Sequence, residues 1–392
     1  MKILIYCQYV WGMGHLVRSL ELARALSRHA VTLVAGGPEA GVPVPAHVDL
    51  VRLPPLFMDE RFTTLIPGGG AADLASIKRE RRRRLLELAE RLRPDLLIVE
   101  LFPFGRTQFG FELVPLLEAA RAGRFGATRC VCSLRDLLVE KRDPAAYAAR
   151  VAADLNRYFD LLMIHSDERL LPLEATFGPA GAIRIPRVYT GFVAPRPDFE
   201  AGRRLRRELG LAPGGRLVVA SAGGGRSGYP LLEAVLAACR RLEGRMPLRL
   251  ELFAGPFMPA AEFDALQAGA GGCRRVARFT PRLTDYLCAA DLSVSLAGYN
   301  TCMGLLATGV PALVLPYARQ QEQPLRVERL RPYLELTVLT PGDLRPEPMA
   351  AAIAAGLGRS RRPPPPEIDM DGAAAAARIL ESRFGPGAPA PA

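Results

Sequence analysis

Residues 291–316 read DLSVSLAGYNTCMGLLATGVPALVLP. An apolar run of strand length, Leu292–Leu296, turns at Gly298 into a helix-compatible stretch, and Gly309-Val310-Pro311 ends that stretch before a second apolar run at Ala312–Pro316. Strands apolar on both faces and joined through helices belong to parallel sheets covered on both sides. The same alternation runs on toward the N-terminus. Strands are expected at Arg216–Ala220, Arg249–Phe253 and Arg274–Phe279, with a helix near 229–242. Earlier still come Lys2–Cys7, Val31–Ala35, Val48–Leu53, Leu96–Leu101, Arg129–Leu134 and Leu161–His165. Between them lie helical stretches that include Leu16, Leu20, Ala23 and Leu26 at one helical spacing, and others near 73–93, 112–122 and 144–158. The fold class is therefore α/β with parallel sheets. The segment Pro186–Pro197, PRVYTGFVAPRP, holds three prolines, excludes a helix and reads as an interdomain connection.

Four segments follow. Residues 1–188 are expected to form an N-terminal α/β domain and 189–345 a C-terminal one. Residues 346–384 supply helices (Pro346–Gly356 and Ala373–Phe384) expected to pack back on the first domain, and 385–392 read as a disordered tail. Arg361–Pro366, with four prolines, reads as a spacer. The length of 392 residues, 49% of them hydrophobic and 23% charged, suits two globular domains and excludes a disordered or fibrous chain.

The formal charge of +11 invites a nucleic-acid or membrane partner. Its distribution argues against a basic module. Residues 1–198 hold 27 Lys/Arg against 22 Asp/Glu, and residues 199–392 hold 24 against 18. Only three cations are lysines, Lys2, Lys78 and Lys141, as the codon bias of a GC-rich coding sequence gives. No aromatic residues interleave the basic ones in the manner of a nucleic-acid surface. One dense run remains, Lys78–Arg84 (KRERRRR), opening an amphipathic helix with Leu85, Leu88 and Leu92 on its apolar side. It reads as a solvated face, or as a contact for an anionic membrane surface or for a polyanionic acceptor. No run reaches the approximately 20 apolar residues of a membrane span, so a cytoplasmic protein, at most peripheral to the inner membrane face, is expected. Seven scattered cysteines and four histidines lack metal-ligand spacing, so no metal site is expected.

Three stretches could carry chemistry. Gly12-Met13-Gly14-His15 lies where the first strand turns into the first helix, so His15 would reach the crevice at the carboxyl ends of the strands, where an imidazole can take a hydroxyl proton. The same residues also fit a plain tight turn with His15 capping the helix. Ser221–Gly228 (SAGGGRSG) again follows a strand and precedes a helix, and Gly223, Gly224 and Gly225 expose backbone N–H groups to a diphosphate, aided by Arg226. It lacks the Gly-Lys-Ser/Thr ending of a nucleotide-hydrolysing P-loop. The third stretch runs from Phe279 to Gln323. Phe279-Thr280 end a strand, Gly298-Tyr299-Asn300-Thr301 open a helix, and Glu322 and Gln323 sit in a polar loop suited to sugar hydroxyls. On the first domain, Glu100 and Arg106 flank a loop after one strand and Arg135-Asp136 follow another; each lines a cleft or makes a structural ion pair.

This order of features resembles the GT-B glycosyltransferases, in particular the group that includes the N-acetylglucosaminyltransferase forming lipid II. The resemblance implies two facing Rossmann-like domains with parallel sheets, the acceptor on the N-terminal side and the donor mainly on the C-terminal side. It puts His15 in the role of base, with Gly12, Gly14, Glu100, Arg106, Arg135 and Asp136 on the acceptor side. It puts Gly223–Gly225 and Gly298–Thr301 near the diphosphate, Phe279 and Thr280 beside the nucleobase, and Glu322 with Gln323 on the donor sugar. The implied reaction is inverting, metal-independent transfer from a nucleoside-diphosphate sugar, UDP-sugar foremost, to an acceptor hydroxyl, with no cofactor besides the co-substrate. One position departs from the pattern: Gly304 stands where relatives carry a glutamate that binds the nucleotide ribose. A nucleotide-sugar epimerase of the same architecture and a non-catalytic sugar-nucleotide or glycan-binding relative are the alternatives.

Overall fold

The chain divides into two units, Met1–Val193 together with Asp369–Ala392, and Ala194–Ile368. The computed structural model describes all residues except Trp11, 59–63, 69–72, 139–142, Pro179, 318–321, 364–366 and 388–392.

The first unit begins β1 (Lys2–Cys7), α1 (Gly14–Ala25), β2 (Ala30–Ala35), β3 (Val48–Arg52), a short hairpin β4 (Leu56–Met58) and β5 (Leu65–Pro67), and α2 (Leu74–Leu92). It continues β6 (Leu96–Glu100), α3 (Gly110–Arg121), β7 (Arg129–Leu134), α4 (Pro144–Tyr158), β8 (Leu161–Ile164), α5 (Glu174–Phe177) and β9 (Arg187–Tyr189). Seven strands pair in the order β3-β2-β1-β6-β7-β8-β9, all parallel. The second unit runs α6 (Phe199–Glu208), β10 (Arg216–Ser221), α7 (Tyr229–Leu242), β11 (Leu248–Phe253), α8 (Ala260–Ala268), β12 (Arg274–Ala277) and α9 (Leu283–Ala289). Then come β13 (Leu292–Leu296), α10 (Tyr299–Thr308), β14 (Ala312–Leu315), α11 (Glu322–Leu330), β15 (Leu336–Val338) and α12 (Pro346–Leu357). Its six strands pair in parallel as β12-β11-β10-β13-β14-β15. The last helix, α13 (Gly372–Phe384), returns to the first unit and packs on α1.

Each sheet starts at its middle strand, winds outward, then reverses to the other side. The reversal falls between β1 and β6 in one unit and between β10 and β13 in the other, and such switch points open a crevice at the carboxyl ends of the strands. The strands are near-continuous apolar runs, and β6, for example, is buried at every position. One core packs around the first sheet with Leu4, Val99, Phe109 and Leu162, and a second around the other with Val218, Leu250, Val294 and Leu313.

Four expectations need correction. The proline-rich segment 186–197 is not purely connecting: β9 adds an edge strand there, and the units part at Val193/Ala194. The two C-terminal helices do not act as one body, because α12 packs on α7 in the second unit whereas α13 joins the first. Arg361, expected in a spacer, donates to the carbonyls of Thr308, Leu287, Cys288 and Ala290, satisfying the ends of α9 and α10. Lastly, the run 78–84 is not simply a solvated face. Arg81 shares the inward stripe of α2 with Ile77 and Leu85 and is fully buried. Arg83 and Arg84 are shared with Glu80 and Glu87, and Lys78 lies over the Phe111 ring. The expected tail, 385–392, falls largely outside the described residues. Among the described residues, no helix is long and apolar enough to cross a membrane.

Candidate functional sites at the two switch points

In the first unit, the turn after β1 delivers His15 to the second helical position of α1, and Glu100 is the last residue of the neighbouring strand β6. Adjacent strands thus bring together residues 85 apart in sequence. His15 Nδ1 lies 2.7 Å from Glu100 Oε1, and Arg18, one turn further along α1, donates to the same oxygen. Helix α1 has Met13 at its N-cap and no side-chain cap, so His15 is not the capping residue. Gly12 leaves open space where a side chain would stand.

Electrostatics fix the protonation of the pair. Burial pushes Glu100 toward the neutral acid, but the imidazole and the cationic groups at Arg18 and Arg106 outweigh it and hold the carboxyl below its usual range. Burial pushes His15 below the ordinary imidazole value, Glu100 opposes that shift, and Arg106 and Arg18 reinforce it. A carboxylate can only accept, so the Nδ1 of a neutral His15 carries the hydrogen and Nε2 keeps its lone pair. The His15 side chain keeps 16% of its surface exposed. A neutral, oriented imidazole of this kind can accept a proton from a hydroxyl.

The neighbouring strand ends supply more polar groups. Arg106 follows β6 with left-handed backbone (φ 61), in a loop whose Leu101 is left-handed too (φ 67). It lies within electrostatic reach of Glu100 and Arg135. Asp136 is fully buried just beyond β7. Sequence reading missed His165, which is buried at the end of β8 between the Ser133 hydroxyl (2.8 Å) and the Thr190 hydroxyl (2.9 Å). Burial lowers it to about 3, so it is a neutral tie across three strand ends rather than an acid or base. Its only signal in the sequence was its place at a strand terminus.

In the second unit, the glycine loop leaves β10 and the Gly298–Thr301 turn leaves β13, on the two sides of that sheet's switch point. Gly223 (φ 58) has open space where a Cβ would project. Gly225 (φ 98) is used differently: a Cβ there would meet the Ala254 carbonyl at 2.6 Å, and one on Gly255 would meet Gly225 N at 2.5 Å. The loop is thereby seated on the turn after β11, with Phe257 N donating to Gly224 O and Gly255 N to Arg278 O. Phe279 and Thr280 continue from there, both half-buried, and the Thr280 hydroxyl accepts from Arg282 N at the entry to α9. Arg226 is exposed. Helix α10 is entered through Gly298 at its N-cap, a residue with no side chain with which to cap the helix.

One expectation changes here. Glu322 and Gln323 belong to the first turn of α11 and are buried, and Gln323 Oε1 accepts from Tyr317 N at 2.9 Å. Gln323 therefore anchors the backbone after β14. Residues 319–321 of the expected polar loop lie outside the described residues. Arg326, which the sequence did not single out, is fully buried over the Tyr299 ring and donates to Ala297 O at 3.2 Å, bracing the turn that opens α10. Position 304 faces Leu287, since a Cβ on Gly304 would stand 3.0 Å from Leu287 Cδ1. A carboxylate on that Cβ would start from an apolar contact.

The glycine loop yields a prediction. Gly225→Ala would force a left-handed alanine against Ala254 O, at a strain of roughly 1–3 kcal/mol, and should weaken nucleotide binding at least about tenfold. Gly223→Ala meets no such wall and should weaken it less. Calorimetric titration with UDP checks the ranking, and equal affinities in the two variants would show that the seat on Gly255 is irrelevant to binding.

Comparison with known proteins agrees with this geometry. Residues 230–364 match the glycosyltransferase family 28 C-terminal domain. Over 205 residues the chain is 28% identical to the UDP-N-acetylglucosamine--N-acetylmuramyl-(pentapeptide) pyrophosphoryl-undecaprenol N-acetylglucosamine transferase of Bacillus licheniformis, a match that covers 51% of this chain and 52% of that protein. The chain thus spans about half the length of this relative. Similar solved structures include Acinetobacter baumannii MurG (TM-score 0.52, 16% identity, 96% of this chain and 95% of that one). The spinosyn forosaminyltransferase SpnP is another (0.57, 16%, 100% and 96%), as is S. aureus MnaA with UDP (0.59, 14%, 98% and 96%). The chain has the GT-B fold, and residues 230–364 of its second unit match the glycosyltransferase family 28 C-terminal domain.

Proposed function

We propose that this chain is a glycosyltransferase that moves a sugar from a nucleoside-diphosphate sugar, UDP-sugar foremost, to an acceptor hydroxyl, inverting the anomeric carbon and using neither metal nor resident cofactor. The observation that carries the reading is the His15–Glu100 pair, a neutral imidazole oriented by a carboxylate at one switch point. In this reading Nε2 takes the hydroxyl proton as the oxygen attacks the anomeric carbon, and the carbon–oxygen bond to the diphosphate breaks on the opposite face. Backbone N–H groups of Gly223 and Gly224 and the start of α10 receive the departing charge, in the place a divalent ion would take, whereas Gly225 N donates to Ala222 O within the loop. Phe279 and Thr280 serve the nucleobase and Glu322 the donor sugar. The relative from Bacillus licheniformis, whose name specifies a UDP-sugar donor, supports the choice of nucleotide. A peripheral contact of residues 78–84 with an anionic membrane surface would fall to Arg79 and Arg82, together with the shared Arg83 and Arg84.

Gly304 favours a second reading, a sugar-nucleotide-binding protein without turnover. Thermal-shift titration against UDP-, TDP- and GDP-sugars, followed by donor hydrolysis with and without EDTA, separates the two. The transferase reading expects a saturable shift selective for one base and hydrolysis unaffected by EDTA. Selective binding with no turnover across a broad acceptor panel would establish the second reading, and loss of turnover in EDTA would overturn metal independence.

A further inference from the structure

We propose that the first unit is built for an acceptor that carries an anionic group, a carboxylate or a phosphate, and that Arg106 is the residue that holds it. This rests on the reading of His15 as the base that meets the acceptor hydroxyl. Among the described residues, no hydrogen bond or ion pair reaches the Arg106 guanidinium, and its Nε is buried without a partner. An unpaired, partly buried guanidinium is expensive, and a folded chain retains one where something outside the chain completes it. Glu100 does not complete it. Its Oε1 already accepts from Arg18 and His15, and Arg135 adds a second positive field on Arg106.

The surroundings show a held loop rather than a loose one. Leu101 N donates to Ser133 O, Gly105 N to Leu101 O, and the Tyr147 hydroxyl to Phe104 O, with Phe102 and Phe104 buried beneath. Arg106 is fixed in this loop with left-handed backbone, a conformation that costs a non-glycine residue about 1 kcal/mol or more and that collects at ligand sites. A second buried atom is left over in the same cluster. Glu100 is 1% exposed and its Oε2 has no partner. A ligand anion at Arg106 would supply the partner that the described residues do not. A planar guanidinium suits a carboxylate or phosphate because two parallel N–H bonds match two oxygens.

The test uses the full chain and three probes at fixed ionic strength: glucuronate, glucose 1-phosphate and neutral methyl glucoside. Saturable binding of glucuronate or glucose 1-phosphate is expected by calorimetry, with methyl glucoside silent, and the tighter of the two names the anion. Arg106→Gln should lose at least about tenfold in Kd, Arg106→Lys should fall between, and Arg226→Gln should bind as the wild type. Without ligand, R106Q should melt at or above the wild-type temperature, because it removes an unpaired charge. The proposal is overturned if neither anion binds the wild type, if R106Q binds like the wild type, if R226Q abolishes binding, or if R106Q lowers Tm by several degrees. Donor hydrolysis is read separately: its absence in the wild type would sink the transferase reading, whereas the role of Arg106 is decided by the three probes alone.

Discussion

His15→Ala is expected to lower kcat for sugar transfer by about 10²–10⁴-fold, the range of a positioned general base, while donor Kd stays within about threefold. The split follows from location. His15 sits at the β1–β6 switch point, whereas the glycine loop and the start of α10 belong to the other unit. Glu100→Gln keeps the shape but replaces an obligatory acceptor with an amide that can donate, so Nδ1 is no longer forced to carry the hydrogen, and a smaller loss in kcat is expected. Unchanged kcat in His15→Ala would remove this residue from the mechanism.

The pH dependence has a definite sign. His15 is held below the ordinary imidazole value of 6.5, so the neutral base persists well under that pH. The acid limb of kcat/KM should therefore be absent around pH 6.5 and appear only at distinctly lower pH. The folded chain carries a matching cost. His15 and His165 are both neutral when folded and ordinary when unfolded, so the unfolded state binds more protons below pH 6.5. Stability falls as pH drops from there, by up to about 1.4 kcal/mol per pH unit for each ring. Melting temperatures recorded between about pH 8 and 5 in His165→Asn should fall less steeply than in the wild type.

Periodicity and turn chemistry made most of the architecture legible. The strand Arg129–Leu134 and the helices Pro144–Tyr158 and Tyr229–Leu242 coincide with their sequence readings because each is a long apolar or amphipathic run bounded by breakers. The strand β9 was hidden because three half-exposed residues in a proline-rich segment carry no alternation. Site residues were legible as positions, since strand ends in a parallel sheet face one edge. Their partnerships were not. His15 meets Glu100 because β6 lies beside β1, which only strand order reveals. Gln323 is legible as a polar residue after a strand, but its bond to Tyr317 N is visible only in the fold.

The buried arginine of α2 gives the largest expected effect on stability. Arg81 Nε and Nη2 bond both oxygens of Glu112, at 2.9 Å and 2.6 Å, and neither side chain has any exposed surface. Tyr6 donates to the same carboxylate, and Arg81 also reaches Gln8 Oε1, Gly36 O and Pro54 O. Glu112→Ala would leave that guanidinium uncompensated in the core, at an expected cost of about 3–5 kcal/mol. For a unit of this size that is a fall in Tm of roughly 6–20 °C. The paired replacement Arg81→Met/Glu112→Leu removes both charges and should be more stable than Glu112→Ala, because no ion is stranded. Denaturant unfolding of the three proteins tests this, and a Glu112→Ala cost under about 1 kcal/mol would show that the pair is not sealed from water. Gln8, Gly36 and Pro54 all follow the carboxyl ends of β1, β2 and β3, so the same guanidinium also sets the strand edge beside which His15 is presented. Glu112→Ala should therefore reduce kcat in the fraction that remains folded, although neither residue of the pair touches substrate in the proposed reaction.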